Sequence, residues 1–393
     1  MLIVFMDILI YLLFVGLLLY AAIGFLVTFG INRNSGKRNN KNDNRPFVSV
    51  VVAARNEEDN VPDLLEILFR QTYPGYEVII VDDNSTDSTR SAAESVIENE
   101  IKLNEKELGT REVKVIPARK NVLNWGPKKN ALHTGIEASK GEIILTTDAD
   151  CRPSKNWIEE VVSFYEDGVG CVAGYTRLES AKTGFLEKLK SLESLAMAII
   201  AMSFIGLKKP YIAGGGNFSY RKDLYYKLGG FGESAVIAAG DDDLFVQKAS
   251  KVTKVAYATS KGSVVRSILK DDKYIDRKKR HMAITKHYSY DLIALGALVF
   301  SFIAVLFISF AWALFTLNMQ LFKIVSVVFM LKVLIDIFVL DLGSRQLHDK
   351  YNLFEVLLTE ILVFPYTIVL QPFSLIGKIK WKDRSLCTFM TLL

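Results

Sequence analysis

The sequence EIILTTDADC, residues 142–151, predicts a buried strand that ends at a ligand-binding site. Its first part is apolar and rich in β-branched residues, and it ends abruptly in Asp148 and Asp150, which one small residue separates. In open α/β sheets the carboxyl ends of the strands carry the site, and two carboxylates there suit Mg²⁺ or Mn²⁺ holding a phosphate. The structural alternative is a polar turn, because aspartate also favours turns.

The composition indicates a soluble domain joined to membrane segments. Of the 393 residues, 50% are hydrophobic and 23% are charged, and the mean hydropathy is +0.22. The net charge of +5 is modest, and the basic residues lie near apolar segments, which favours anionic lipid headgroups over nucleic acid as a partner. Cys151, Cys171 and Cys387 show no metal-like spacing, so we expect no disulfide framework and a reducing compartment.

The N-terminal residues predict a transmembrane helix over residues 1–31. Residues 8–31 are 24 consecutive uncharged residues, and a helix of that length spans about 36 Å, more than the bilayer core of roughly 30 Å. A cleaved signal peptide is the alternative. The polar linker that follows, residues 32–45, contains five basic residues. By the positive-inside rule it places the next domain in the cytoplasm, at the inner face of the cell membrane.

Residues 46–268 predict an α/β domain with a mostly parallel sheet. Segments of helical spacing alternate with apolar strands, which we predict at residues 47–55, at 77–85, near Val113, at 142–150 and near Val169. Such alternation predicts parallel strands with helices on both faces of the sheet. Two of the strands end in paired acids, Asp82 with Asp83 and Asp148 with Asp150, so we expect one site to include both pairs.

An apolar stretch and a basic stretch follow the sheet residues. Residues 183–207 predict a long helix that starts amphipathic and becomes apolar over residues 195–207, but these last 13 residues are too few to span a bilayer. We therefore expect them on the membrane surface or packed against the transmembrane helices, with a buried core helix as the alternative. Residues 269–290 are strongly basic and predict an interfacial helix near the cytoplasmic headgroups.

Residues 291–377 predict further transmembrane helices, followed by a basic tail over residues 378–393. Lys332 and Asp336 are one helical turn apart in this region, so we expect them to pair inside the bundle; alternatively, Lys332 extends to the membrane edge. The last apolar segment, residues 361–377, contains two prolines. We expect it to re-enter the membrane or lie at its surface, because a full crossing would leave the basic tail outside; the alternative is a full crossing that breaks the positive-inside rule.

Two lysines and an acidic run add candidate functional groups. Lys128 and Lys129 open a predicted helix, where cations oppose the helix dipole, so an anionic ligand explains them better than a structural role does. Asp241, Asp242 and Asp243 concentrate three like charges, which favours solvent exposure, a nearby cation or a raised pKa. A general base needs such a tunable carboxylate. The alternatives are a solvated lysine and an exposed acidic helix turn.

The order of these motifs resembles the family 2 glycosyltransferases with a GT-A fold. The motifs cover about residues 46–281 and are VSVVVAARNEE, IIVDDNSTD, GPKKNAL, LTTDAD, GGGNFSYRKDL with LGGF, GDDDL and RKKRH. The membrane flanks are similar to those of the subgroup that includes the poly-N-acetylglucosamine, hyaluronan and cellulose synthases and the ceramide glucosyltransferases. The resemblance implies a Rossmann-like catalytic domain attached to α-helical transmembrane segments.

The resemblance also implies roles for the matching acids. Asp82 and Asp83 would hold the base and ribose of a nucleotide sugar. Asp148 and Asp150 would form the Asp-x-Asp motif that binds Mg²⁺ or Mn²⁺, with Asp150 the better metal ligand. Asp242 takes the position of the general base, and Asp241 replaces the usual glutamate beside it.

The remaining matching positions complete the expected site. Arg277, Arg280 and His281 fall at the Gln-x-x-Arg-Trp positions of the family, and only Arg280 matches strictly, which weakens the case for polymerisation. The expected nucleotide-sugar-binding residues are Arg55, Glu57, Asp82, Asp83, Lys128, Asp148 and Arg280. The expected acceptor-side residues are Gly215, Asn217, Arg277 and His281.

The sequence therefore predicts a membrane-anchored, metal-dependent, inverting glycosyltransferase. Its donor would be a nucleotide sugar, UDP-linked by resemblance, and its acceptor a lipid or a lipid-linked glycan at the membrane. The first alternative is a processive synthase that extends and exports a polysaccharide. The second, from a different class, is a membrane receptor that senses nucleotide sugars without catalysis. We expect no nucleic-acid partner.

Overall fold

The computed structural model describes residues 2–34, 45–103, 112–121, 124–179, 184–237, 239–268, 274–362, 379–381 and 384–386. The strands, in chain order, are β1 (Val48–Ala54), β2 (Tyr76–Asp82), β3 (Glu112–Pro117), β4 (Ile143–Thr146), β5 (Cys151–Pro153), β6 (Val169–Gly174), β7 (Thr176–Glu179), β8 (Phe218–Arg221), β9 (Lys254–Ala258), β10 (Val265–Ile268), β11 (Ile379–Trp381) and β12 (Arg384–Leu386). The helices are α1 (Leu2–Arg33), α2 (Val61–Phe69), α3 (Thr89–Leu103), α4 (Pro127–Ala138), α5 (Trp157–Val162), α6 (Phe185–Gly206), α7 (Lys222–Lys227), α8 (Asp243–Ala249), α9 (Tyr274–Ile284), α10 (Tyr290–Phe315), α11 (Met319–Gln346) and α12 (353–362).

The central sheet has seven strands in the order β3-β2-β1-β4-β8-β6-β9. β1 pairs in parallel with β2 and β4, β2 pairs in parallel with β3, and β6 pairs in parallel with β9. Only β8 runs antiparallel to its neighbours, β4 and β6. The predicted mostly parallel sheet is therefore confirmed. A second sheet joins β5, β10 and β7, and a third joins β11 and β12.

The register of the parallel strands places several chain segments at one edge of the sheet. Ala54 at the end of β1 lies opposite Asp82 of β2, which lies opposite Pro117 of β3. On the other side of β1, Val51 lies opposite Thr146, the last residue of β4. The segments that follow these four strands therefore leave from the same edge, as the paired acids predict.

Successive residues of the buried strands contribute to different apolar clusters, one on each face of the sheet. Val50 and Val52 belong to the cluster that contains Leu64 of α2 and Trp157 of α5. Val51, between them, belongs to the cluster that contains α4 and α6. This alternation follows from the two-residue period of a strand, and it confirms the expected helices on both faces.

Within the described residues, three helices are long and apolar enough to cross a membrane: Val4–Arg33, Glu187–Gly206 and Tyr290–Phe315. The first corresponds to the predicted N-terminal membrane helix. The third corresponds to the first crossing predicted after the basic stretch. α11 follows α10 after a short turn, and both helices contact α1.

The second of these helices, α6, differs from its prediction. The helix predicted over residues 183–207 is present as Phe185–Gly206. The expectation that its apolar end is too short to cross a bilayer is corrected, because the helix as a whole is long and apolar enough. α6 packs between α1 and the sheet. The Ser203 hydroxyl donates to the Val27 carbonyl of α1 at 2.9 Å, and Ile199 and Met202 lie in the same apolar cluster as Val51 of β1. α6 therefore packs against α1 and is at the same time buried in the core of the domain.

Charged groups pair between the apolar helices. Lys332 Nζ lies 2.8 Å from an Asp336 carboxylate oxygen, which confirms the predicted pair, and Lys332 also pairs with Glu360. The Tyr20 hydroxyl of α1 donates to Asp336 at 2.5 Å. These contacts satisfy charges that would be costly among apolar helices. The predicted segment 361–377 lies outside the described residues except for its first two.

An ion pair joins the end of α11 to β7 of the three-stranded sheet. Asp349, just beyond α11, accepts a hydrogen bond from Arg177 Nε of β7 at 2.9 Å, and a second Arg177 nitrogen lies 2.9 Å from its other oxygen. The Tyr175 hydroxyl also donates to Asp349, at 2.7 Å. Bidentate arginine–carboxylate pairs fix direction as well as distance, so this contact sets the orientation of the α/β domain relative to the end of α11.

Candidate active site

The turn after β2 is fixed by Arg55, which follows β1. One guanidinium nitrogen of Arg55 donates to the backbone oxygens of Asp83, at 2.7 Å, and of Asn84, at 2.5 Å. Glu57 is buried as well: its backbone N–H donates to the Thr89 hydroxyl at 2.7 Å. Arg55 and Glu57 thus lie beside the turn that carries the acids, where the sequence predicts them.

A cavity of about 420 Å³ opens beside this turn. Asp83 lines it, whereas a carboxylate oxygen of Asp82 accepts a hydrogen bond from the Ser85 N–H within the turn, at 3.3 Å. The complete lining is Asp83, Asn84, Ala118, Arg119, Lys120, Asn121, Pro127 and Asn130. The sequence analysis missed residues 118–121, although they follow the third parallel strand and must leave from the same edge.

Lys128 is the central cation of the site. Its Nζ lies 2.9 Å from Asp148, beyond β4, and 2.9 Å from Asp241, just before α8. Burial disfavours its charge, but Asp148, Asp241 and Asp242 outweigh burial and raise the pKa of Lys128. A charged lysine therefore bridges two acidic segments that are far apart in the chain.

Asp148 and Asp150 form a candidate metal site with the right donor chemistry. Their carboxylate oxygens and the Cys151 sulfur all lie within 4.8 Å of one another. Burial opposes the ionisation of Asp148, but Lys128 outweighs it and lowers the pKa of this carboxyl. Burial, with the charge of Asp150, raises the pKa of the Cys151 thiol, so the thiol stays protonated. Two carboxylates without a thiolate suit Mg²⁺ or Mn²⁺.

Asp242 is the N-cap residue of α8 and faces the glycine-rich loop. One of its oxygens accepts the Asp243 N–H at 2.8 Å. The other faces Gly215, where an added methyl group would lie 3.0 Å from it and 3.1 Å from Lys128 Nζ. Gly215 thus lets the loop approach both charged groups closely. Gly240, at φ +77°, supplies the left-handed turn that leads into Asp241.

A model of glycosyl transferase family 2 matches residues 49–229, which include the turn after β2, Lys128, the Asp148–Asp150 pair and Gly215. This domain belongs to family 2. The predicted enzyme class, a glycosyltransferase, is confirmed for the domain. Asp241, Asp242 and α9 lie beyond the matched residues, so their assignment to the family 2 site depends on the contacts with Lys128 and Gly215.

Curated relatives share this family 2 domain. The chain is 34% identical over 146 residues to a beta-monoglucosyldiacylglycerol synthase of Nostoc sp., covering 36% of this chain and 29% of that protein. It is 33% identical over 175 residues to an undecaprenyl-phosphate 4-deoxy-4-formamido-L-arabinose transferase of Pseudomonas fluorescens, covering 41% of this chain and 46% of that protein. The chain thus spans less than half the length of each of these relatives.

A solved structure shares the fold of the family 2 domain and its flanks. The mannosyltransferase PcManGT from Pyrobaculum calidifontis, in complex with GDP-Man and Mn²⁺, superposes with a TM-score of 0.59 at 18% identity. The match covers 90% of this chain and 99% of that one. The predicted GT-A fold is confirmed.

The α9 residues lie close to the acids of the family 2 site. Arg277 and Arg280 act electrostatically on Asp148, and His281 lies within electrostatic range of Asp241 and Lys128. The three residues therefore lie within electrostatic range of the charges at the end of β4 and before α8.

The structure does not place the Asn217 side chain at the site, which corrects its predicted acceptor-side position. Asn217 is buried, and its amide oxygen accepts the indole N–H of Trp157 at 3.0 Å. Its amide nitrogen donates to the backbone oxygens of Tyr175, at 3.1 Å, and Ser263, at 2.8 Å. The buried Asn217 side chain therefore ties the glycine-rich loop to the backbone at Tyr175 and Ser263.

Lys129, next to Lys128, binds backbone oxygens, which corrects the anionic ligand expected for it. It is fully buried, and its Nζ donates to the backbone oxygens of Ser234, at 2.5 Å, and Ala239, at 2.8 Å. Burial lowers the pKa of Lys129 to about 8. Lys129 thus fastens the segment that leads into Asp241 onto α4. No pattern in the sequence tells which of the two adjacent lysines pairs with acids and which binds backbone oxygens.

Proposed function

We propose that the chain is a membrane-anchored inverting glycosyltransferase that transfers one sugar from a nucleotide sugar to a lipid or lipid-linked acceptor. The observation that carries the proposal is the Lys128 bridge. It joins Asp148, at the candidate metal site, to Asp241, next to the candidate base Asp242. A donor phosphate and an acceptor hydroxyl could therefore meet around one lysine.

The cavity beside Asp83 is the proposed nucleoside site. Its polar lining suits a base and a ribose, and it extends to Pro127 at the start of α4, next to Lys128. We propose a UDP-linked donor on the basis of the motifs, but the solved relative is a complex with GDP-Man. The test therefore includes both nucleotides.

Asp148 and Asp150 would hold Mg²⁺ or Mn²⁺, with Lys128, Arg277 and Arg280 adding positive charge. The bound cation would neutralise the developing charge of the diphosphate leaving group. The positive side chains would assist the departure of the diphosphate, because their charges are already held near Asp148 and need not reorganise. The Mn²⁺ in the complex of the solved relative supports a divalent cation.

Asp242 would act as the general base. Its carboxylate takes the proton of the acceptor hydroxyl while that oxygen attacks the anomeric carbon from the face opposite the diphosphate. The new glycosidic bond forms as the bond from the anomeric carbon to the phosphate oxygen breaks, and the diphosphate leaves with that electron pair. A single displacement of this kind inverts the anomeric configuration.

The pH dependence of transfer should follow Asp242. Burial, together with the charge of Asp241, raises the pKa of Asp242 to about 6. A base must be deprotonated to act, so kcat/KM should fall as the pH drops below about 6. Asp241→Asn removes the like charge and should move this acid limb to lower pH. Rate profiles of both proteins at saturating metal test this, and an acid limb that stays in place would contradict it.

The acceptor and the location are also proposals. The names of the curated relatives specify a glucosyldiacylglycerol synthase and an undecaprenyl-phosphate transferase, which supports a membrane lipid as acceptor. The apolar helices support an integral, multi-pass protein of the cell membrane. The basic linker favours a cytoplasmic position for the catalytic domain, where nucleotide sugars are available.

The direct test is to incubate membranes that contain the full chain with a panel of labelled UDP- and GDP-sugars. We expect label in a lipid extract as a product that has gained one sugar, and no label with membranes that contain Asp242→Asn. A ladder of longer products would instead identify a processive synthase. Nucleotide-sugar binding without any transfer would identify a receptor and overturn the proposal.

A further inference from the structure

Asp243 occupies a position different from those of Asp241 and Asp242. It is fully buried, and both of its carboxylate oxygens have partners inside the protein. One accepts the backbone N–H of Ala213 at 2.9 Å, and the other accepts the Tyr288 hydroxyl at 3.0 Å. These contacts leave Asp243 no direct part in the reaction, so another role is needed to explain a second buried acid beside Asp242.

The partners of Asp243 belong to two segments that meet at the site. Ala213 directly precedes the glycine-rich loop, in which Gly215 lies against Asp242. Tyr288 lies just before α10, after the turn that ends α9. Asp243 also donates its own backbone N–H to Asp242 at 2.8 Å. One residue therefore contacts the candidate base, the loop that faces it and the segment that enters the membrane helix.

Aromatic contacts hold Tyr288 in place from the side of the apolar helices. Its ring lies edge-on to Tyr211, with centroids 5.6 Å apart, and Tyr211 lies edge-on to Phe204 of α6 at 4.7 Å. Gln247 of α8 donates to the Tyr211 carbonyl at 2.9 Å. Packing against Tyr211, which contacts α6 and α8, thus directs the Tyr288 hydroxyl at Asp243.

We propose that Asp243 and Tyr288 are positioning residues that couple the docking of the α9–α10 segment to the orientation of Asp242. The inference rests on the proposed function. The Asp243 side chain fixes the first turn of α8 at two points, and this turn sets the direction of the N–H that holds Asp242. Without the Tyr288 hydroxyl, a buried carboxylate oxygen loses its donor, and the turn rearranges to regain one.

The test uses the full chain in lipid nanodiscs and the variant Tyr288→Phe, which keeps the ring and removes only the hydroxyl. We expect kcat to fall about tenfold or more, while the KM for the donor and the calorimetric affinity for the nucleotide stay within twofold of wild type. Tyr290→Phe is the matched control, because Tyr290 is 92% exposed at the start of α10, and its kcat should not change.

A second pair of variants separates positioning from folding. Asp243→Asn keeps an oxygen for the Ala213 N–H and offers an amide to the Tyr288 oxygen, so it should retain more of kcat than Asp243→Ala does. A wild-type kcat in Tyr288→Phe would overturn the inference alone. Parallel losses of kcat, nucleotide affinity and thermal stability would also overturn it, in favour of a purely structural contact. No transfer by the wild-type chain would overturn the proposed function and this inference with it.

Discussion

Asp242→Asn should lower kcat about 10³-fold and leave nucleotide binding in place. Asparagine has the shape of aspartate and still accepts the Asp243 N–H, so the start of α8 should keep its geometry. It cannot take a proton from the acceptor hydroxyl. The loss should therefore appear in turnover and not in the calorimetric affinity for UDP or GDP. Single-turnover rates with labelled donor give the most direct measurement.

A matched control exists at the start of α7. Asp223 is exposed, and its carboxylate accepts the N–H of the next residue, Leu224, at 2.7 Å, the same local contact that Asp242 makes. Asp223→Asn should leave kcat unchanged, because Asp223 lies outside the site. Normal turnover in Asp242→Asn would exclude this residue as the base, and an equal loss in both variants would point to a general effect on folding.

Asp150→Ala should remove the dependence of nucleotide binding on Mg²⁺ or Mn²⁺ and lower kcat by about 100-fold. Asp150 and Asp148 supply the carboxylates of the candidate metal site, and Asp148 already pairs with Lys128. Loss of Asp150 therefore leaves one carboxylate that is shared with a lysine. Calorimetric titration of UDP and GDP, with Mn²⁺ and with a chelator, measures the effect.

Cys151→Ser is the control for the metal experiment. Cys151 lies in the same cluster, but its buried thiol stays protonated and should not hold a hard cation. The serine variant should keep the metal dependence of the wild type. Unchanged metal-dependent affinity in Asp150→Ala would show that the cation binds elsewhere, and loss of metal dependence in Cys151→Ser would make the sulfur a ligand.

Much of the fold follows from local patterns in the sequence. Apolar strands that alternate with helical segments predict a parallel sheet, and such strands end at a common edge, so the paired acids at 82–83 and 148–150 predict one site. The packing of α6, unlike its length, could not be predicted in the same way. Its first half is amphipathic and its second half apolar, because the helix passes from the surface of the domain to the contact with α1.

The contacts of single side chains could not be predicted from the sequence. Lys128 and Lys129 are adjacent, yet one bridges two acids and the other binds backbone oxygens, because neighbours on a helix point about 100° apart. Asn217 follows three glycines and was expected at the site, but its amide is buried and bonded to Trp157, Tyr175 and Ser263. Such outcomes depend on residues far away in the chain.

The pairing of Arg177 with Asp349 bears on the size of the product. This contact joins the α/β domain to the end of α11, so in the proposed membrane arrangement it would hold Asp242 at a constant height above the lipid headgroups. An acceptor would then have to bring its hydroxyl to that height. Once a sugar had been added, the new terminal hydroxyl would lie farther from the lipid tails and would no longer meet the proposed base. A rigid attachment of this kind would terminate glycolipid growth after one residue without any separate measuring domain.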